Sequence, residues 1–292
     1  MGAKRLAAVL AALLLVAGAI VLRNFVDSGG EVTLGRDASP VVCDPLVFEA
    51  CHAAFPDRTV TSEDPGVTLD RLLSERTTDP FLWVTADVWP QILADRIVRA
   101  SPAGRSETLA TTDLVLVAAT DRAFCEELTW ACLAAEAEER GSGLDIGLEG
   151  PDTTLGLLTR GNLVAGYFGR TDFSSNEFNT PEFNRWWSSA SQALVETLEV
   201  TALNLLATRQ GSLDVAPAGR VAFDAIVRPQ YEAEAPGDTN RSVTIVGVAI
   251  ADASGRAEAL IDELADRGWG APTQETDGAV VTPGVLQALR SR

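Results

Sequence analysis

Short runs rich in β-branched residues alternate with amphipathic stretches of helical period through much of the chain. In the first half, residues 40–43 and 81–85 have the composition of strands, and residues 46–54 and 88–98 that of the helices that follow them. Strands separated by helices of this length predict right-handed βαβ units and a mainly parallel sheet. The predicted fold class is therefore α/β, with sheets flanked by helices.

The second half continues this alternation and then returns to strands. Residues 109–119 form a long apolar run rich in β-branched residues, which predicts a buried strand. The other elements predicted in this half are helices at 121–139, 155–168, 181–197, 255–266 and 283–291, and strands at 144–148, 221–227 and 243–251. A chain of 292 residues with this many elements can build one large domain or two lobes.

The N-terminus predicts a membrane segment. Lys4 and Arg5 precede an uninterrupted apolar stretch, residues 6–22, of roughly 25 Å if helical. An uncleaved anchor and a signal peptide both fit residues 1–28, and we favour the anchor because apolar residues continue beyond a small-residue site at 17–19. Residues 29–39 are predicted to be a linker. With the basic pair inside, the protein is expected to be single-pass in the cell membrane, with its folded domain extracytoplasmic.

Composition excludes several classes of function. A net charge of -18 makes nucleic acid a poor partner, because that binding depends on clustered cations. Lys4 is the only lysine and His52 the only histidine. A Schiff-base lysine in the folded part, a Ser-His-Asp triad without His52 and a multi-histidine zinc site therefore lack their residues. We predict no catalytic residue, no metal and no cofactor.

The four cysteines form two pairs that are local in sequence. Cys43 and Cys51 make one pair and Cys125 and Cys132 the other. An even count in an exported domain favours disulfides over buried free thiols or a metal cluster, although three connectivities are possible. Residues seven apart on a straight helix are too far apart for a disulfide, so local bridges require a bend. For the second pair we expect Cys125 to end one short helix and Cys132 to lie in the next.

Four short stretches carry a resemblance to a known family. They are Val42-Cys43 through Cys51, Cys125 through Leu133, Pro151 through Leu158 and Thr282 through Leu289. In order and spacing they resemble the type II periplasmic solute-binding proteins, especially membrane-anchored bacterial members with two local cysteine pairs. The stretches span most of residues 40–292.

The resemblance implies two α/β lobes joined by crossover strands, with a ligand held between them. Residues 40–118 and 220–292 would form lobe 1, and residues 119–219 would form lobe 2. The chain builds βαβ units, continues into the segment assigned to lobe 2, and then returns to predicted strands at 221–227 and 243–251. This order agrees with two lobes that share a hinge, and clefts between domains are preferred ligand sites.

The family holds ligand groups at helix N-termini, where free N–H groups and the positive end of the helix dipole suit anions. The positions in this sequence that match are Asp44, Thr85, Asp87, Thr153, Thr154 and Tyr231. Ordinary helix capping is the alternative role for the two adjacent threonines. The aspartates would repel an oxyanion, so the pattern favours a ligand with amine, hydroxyl or sugar character, or no ligand at all.

The sequence thus predicts a non-enzymatic solute-binding protein that captures a small molecule for an ABC-type transporter permease or a sensor. The alternative is a ligand-free interaction domain of the same fold in a membrane-associated assembly. A cleft lined by leucine and alanine would favour that alternative, whereas converging polar and aromatic side chains would favour binding. A carboxylate-dependent hydrolase would need two acids about 5 to 10 Å apart across a cleft, and no spacing predicts such a pair.

Overall fold

The computed structural model describes most of the chain beyond residue 38. The described residues are 39–74, 79–96, 103–140, 143–197, 200–208, 212–226, 228–237, 242–251, 253, 257–272 and 281–291. The predicted membrane segment, and the linker up to residue 38, lie outside them. Among the described residues, no helix is both long enough and apolar enough to cross a membrane.

Strands and helices alternate in the order that the sequence predicts for much of the chain. The strands are β1 Val41–Cys43, β2 Val60–Ser62, β3 Phe81–Ala86, β4 Ala103–Ala119, β5 Ile146–Glu149, β6 Leu194–Thr197, β7 Val215–Gly219, β8 Tyr231–Glu234 and β9 Ser242–Ile250. The α-helices are α1 Phe48–Ala54, α2 Pro65–Ser74, α3 Val88–Arg96, α4 Trp130–Arg140, α5 Thr154–Phe168, α6 Pro181–Ala193, α7 Ala202–Thr208, α8 Arg220–Ile226, α9 Glu258–Asp266 and α10 Pro283–Arg290. Short 3-10 helices lie at Pro45–Val47 and Ser175–Asn179.

The described strands form one sheet in the order β2-β1-β3-β9-β4-β7-β5-β6, with β8 also paired to β4. We call β2, β1, β3 and β9 the first half of the sheet, and β7, β5 and β6 the second half. The long strand β4 joins the halves, because it pairs with β9 over residues 103–113 and with β7 over residues 114–118.

The α/β class is confirmed, but the sheet is mixed where we expected it to be mainly parallel. Strand β1 is parallel to β2 and β3, and β5 is parallel to β6 and β7. Strand β4 is antiparallel to β7, β8 and β9, and β9 is also antiparallel to β3. The strand that joins the halves and the strand that returns beside it therefore introduce the antiparallel pairs.

Two predicted elements are wrong at residues 221–227 and 194–197. Of the strand expected at 221–227, residues 221–226 lie in the surface helix α8, which buries none of its residues, and residue 227 is outside the described residues. Strand β7 occupies the place beside β4 instead. The helix expected over 181–197 ends at Ala193, and its last four residues form β6, parallel to β5. Both segments contain residues of high β-propensity. Whether such a segment becomes a strand depends on its position relative to the sheet.

Both local cysteine pairs are disulfide-bonded. The Cα atoms are 6.7 Å apart in Cys43–Cys51 and 5.9 Å apart in Cys125–Cys132. The bend expected in the second pair is present, but Cys125 does not end a helix. It lies in an irregular segment before α4, with a left-handed φ of 47°.

Helix α5 lies at the centre of the packing. Every residue from Thr154 to Gly166 is buried, and a Cβ added at Gly166 would lie 2.4 Å from the carbonyl oxygen of Trp130 in α4. Helix α10 packs against both α5 and α3. One continuous hydrophobic core therefore contains helices that follow strands of both halves of the sheet.

Candidate ligand-binding cleft

The ends of β1 and β5 bring the predicted site residues Asp44 and Thr154 into contact. Asp44 follows β1, and Thr154 is the first residue of α5, close after β5. Thr153 is the N-cap of α5, since its side chain accepts a hydrogen bond from Gly156 N at 3.0 Å. The helix-capping role considered for Thr153 is therefore present in the structure.

A buried hydrogen-bonded chain links the two halves at this point. The Thr154 hydroxyl donates to Asp44 Oδ2 and accepts from Trp89 Nε1 at 2.9 Å. The backbone N–H of Leu46 donates to Asp44 Oδ1 at 3.0 Å. Both carboxylate oxygens of Asp44 thus have protein partners, and the residue is only 1% exposed. Asp44 therefore joins β1 to α5.

Burial perturbs the acidity of Asp44. Loss of hydration raises the pKa of Asp44 from 3.8 to about 6, and the hydrogen bond from Thr154 offsets part of this rise. The charge on Asp64 adds to the rise. Ionised Asp44 is therefore tolerated at neutral pH because its oxygens are hydrogen-bonded.

Three adjoining cavities follow the boundary between the halves. The middle cavity has a volume of about 250 Å³ and is lined by Asp44, Glu149 and Thr154 among others. An acidic cavity of about 380 Å³ shares Glu149 with it and adds Asp64 and Asp152.

A third cavity, largely apolar, extends from the other side of the middle one. It measures about 420 Å³ and shares Leu46, Leu155 and Ala222 with the middle cavity, and Trp269 lies in its wall. The groove therefore has an acidic end, a central carboxylate and an apolar end.

Glu149 is the central carboxylate of this groove. Burial raises its pKa from 4.5 to about 7, while the nearby Ala202 N–H and Thr153 hydroxyl oppose the rise and the charges on Asp44 and Asp64 add to it. Its Oε1 atom is buried and has no hydrogen-bond partner in the described part of the chain. This oxygen can accept a hydrogen bond from a bound molecule.

Sequence reasoning missed Glu149. The signal that could have found it is its position as the last residue of β5, a parallel strand, immediately before the loop that leads to α5. Ligands in open α/β sheets bind beside the carboxyl ends of such strands.

The other predicted ligand residues lie away from the lining of the groove. Thr85 is buried near the end of β3, and its hydroxyl oxygen has no partner among the described residues. Asp87 accepts a hydrogen bond from Gln91 at 3.0 Å. The Tyr231 hydroxyl donates to Leu206 O at 2.9 Å, and the residue lines a separate cavity of about 510 Å³. Their roles in binding stay predictions.

Trp83 in β3 and Trp89 in α3 are core residues and not surface platforms for a ligand. Trp83 and Trp89 are both buried, and of the adjacent pair in α6 only Trp186 is fully buried, while Trp187 is partly exposed. Over the residues that the structure describes, no three His, Cys, Asp or Glu side chains are grouped so as to hold a metal ion.

Comparison with solved structures reveals the same arrangement at low sequence identity. Iron-bound HitA from Pseudomonas aeruginosa aligns with a TM-score of 0.54 and 13% identity, over 87% of this chain and 98% of that one. Apo ferric ion-binding protein A from Pasteurella haemolytica gives 0.53 and 10%, over 87% and 94%. An ABC transporter from Clostridium perfringens gives 0.50 and 10%, over 87% and 95%. The fold is that of the type II periplasmic solute-binding proteins.

The type II solute-binding fold is what these likenesses establish for this chain. No protein-family model and no curated protein matches the sequence.

Proposed function

We propose that the chain is a membrane-tethered, extracytoplasmic solute-binding protein that holds a small organic cation for an ABC-type transporter or a sensor. In this proposal residues 1–28 are the anchor, and the cleft lies between a lobe of residues 40–118 and 220–292 and a lobe of residues 119–219. The protein has no catalytic role. The observation that carries the proposal is the free Oε1 atom of Glu149 in the middle cavity.

Charge favours a cation in this groove. Among the described residues, none that lines the middle or the acidic cavity is basic, while Asp64, Glu149 and Asp152 contribute carboxyl groups. An anion would be repelled there, whereas an ammonium group would form charge-assisted hydrogen bonds. HitA was solved with iron, but the described residues of this chain hold no group of metal ligands. The wall of the third cavity carries charge at Glu49 and Arg267, and its apolar part suits the hydrocarbon part of an organic amine.

Thermal unfolding of the full-length protein in lipid nanodiscs tests this proposal. The panel contains putrescine, spermidine, choline and lysine, with glucose and phosphate as uncharged and anionic comparisons. A ligand at a hundred times its Kd adds about 2.7 kcal/mol to the free energy of unfolding, which shifts the midpoint measurably. Glu149→Gln should abolish the shift caused by an amine. Glu182→Gln, an exposed change of equal charge on α6, should preserve it.

Two results would refute the organic cation as the solute. One is a midpoint that no amine shifts. The other is an amine shift of equal size in the wild-type and Glu149→Gln proteins. A shift with glucose alone would also refute the cation, while supporting the broader proposal of a solute-binding protein.

The second candidate function is a ligand-free interaction domain of the same fold. It is favoured by the buried hydrogen bond between Thr154 and Asp44. Because of this bond, polar groups at the start of α5 already have hydrogen-bond partners within the protein. For this candidate we expect no shift with any compound of the panel, together with a cooperative unfolding transition.

A further inference from the structure

The last turn of α10 carries an arginine that is bonded on several sides. Arg290 Nη1 and Nη2 each donate to a different carboxylate oxygen of Asp70 at 2.7 Å. Its Nε atom donates to Asp152 Oδ1 at 2.7 Å, and Nη2 also donates to the backbone oxygen of Gly66 at 2.9 Å. The side chain is 9% exposed, and its guanidinium lies 5.8 Å from the centre of the Trp89 ring system.

These partners belong to opposite halves of the sheet. Asp70 and Gly66 are in α2, which connects β2 to β3 in the first half. Asp152 lies in the loop between β5 and α5, in the second half. Asp70 and the Gly66 carbonyl fix the guanidinium, so that its remaining donor faces Asp152. Arg290 therefore joins α2 to the β5–α5 loop.

A backbone hydrogen bond crosses the same boundary. The Gly66 N–H donates to the backbone oxygen of Asp152 at 2.9 Å. Gly66 is in the first turn of its helix, where an amide has no acceptor within the helix. The protection of this one amide from solvent therefore depends on contact between the two halves.

Electrostatics gives the arginine a second effect at this boundary. Asp64 and Asp152 both line the acidic cavity. Burial, and then the charge on Asp152, raise the pKa of Asp64. A guanidinium bonded directly to Asp152 compensates one of these charges, and without it the two carboxylates would push the halves apart.

We propose that Arg290 is a latch that holds the two halves together at the acidic end of the groove. The Arg290–Asp152 contact must break before this end of the groove opens. The inference uses the proposed two-lobe division but requires no particular ligand. It is tested on the ligand-free protein, so its outcome is independent of whether any solute binds.

Hydrogen exchange at the Gly66 amide, followed by NMR on the full-length protein in nanodiscs, measures opening directly. Arg290→Gln should accelerate exchange at Gly66 at least tenfold, since it removes several charge-assisted bonds. The amides of Val84 in β3 and Val115 in the joining strand β4, both fully buried, should exchange at the wild-type rate. Arg185→Gln removes an exposed charge of the same sign on α6 and should change none of these rates.

Asp152→Asn provides an independent variant, because it keeps the backbone oxygen that accepts from Gly66. It should also accelerate Gly66 exchange, by a smaller factor than Arg290→Gln. If Arg290→Gln fails to fold, this milder variant carries the test. A latch is refuted if Gly66 exchanges at the wild-type rate in the variants that fold, or if Val84 and Val115 accelerate by the same factor, which indicates global destabilisation.

Discussion

Replacing Glu149 by glutamine should change how the stability of the protein depends on pH. Burial raises the pKa of Glu149 from 4.5 to about 7. Because the folded-state pKa is the higher one, the stabilising contribution is complete below pH 4.5 and is lost as the pH rises through about 7. A change of one in pKa corresponds to about 1.4 kcal/mol, so the loss amounts to about 3 kcal/mol. The glutamine cannot ionise, and the variant should lack this loss.

Urea unfolding followed by tryptophan fluorescence, at intervals from pH 4 to pH 8 with the disulfides intact, measures the effect. The quantity to compare is the change in the free energy of unfolding with pH, because any packing cost of the amide is independent of pH. Glu182→Gln, which removes a 69% exposed carboxylate, should follow the wild-type curve. If the Glu149→Gln and wild-type curves run parallel between pH 4.5 and pH 8, burial does not control this carboxyl group and the reasoning fails.

Two further predictions concern the scaffold. Replacing Cys125 and Cys132 by serine should lower the free energy of unfolding by about 2 to 3 kcal/mol, because the unfolded chain loses a constraint. Urea unfolding of the variant and of the oxidised wild type measures this difference, and an unchanged midpoint would contradict the prediction. Gly166→Ala should destabilise the protein by several kcal/mol, because its Cβ would overlap the backbone of Trp130. A Cβ at Gly237 would meet no described atom within 4 Å, so Gly237→Ala should leave the thermal midpoint nearly unchanged. Equal midpoints for the two glycine variants would refute the close packing of α4 on α5.

Local signals predicted part of the site. Thr153 and Thr154 follow a strand and begin an apolar helix, and Asp44 follows the first strand, so their positions could be inferred from sequence alone. Their mutual contact could not, because Asp44 and Thr154 are 110 residues apart. The same applies to Arg290, whose partner Asp152 is 138 residues away. Such pairs depend on which strands become neighbours in the sheet.

The order of strands in the sheet was also beyond local reasoning. Residues 221–227 have a strand-like composition, yet β7 fills the sheet position beside β4 and residues 221–226 belong to α8. Glu149 was missed because, in the sequence, an acidic residue at the end of a strand looks the same as an acidic residue on the surface. The two differ only in the residues that pack around them in the folded protein. Burial of that kind is a property of the assembled sheet.

The Cys43–Cys51 bridge makes the shape of the cleft depend on how the protein is produced. Cys43 directly precedes Asp44, so the bridge ties the residue that contacts α5 to the helix that follows it. A chain made in a reducing cytoplasm would have every residue of the groove but no covalent restraint on this turn. Oxidation of this cysteine pair thus acts as a maturation step for the groove, and material from a reducing host should be oxidised before any binding measurement is interpreted.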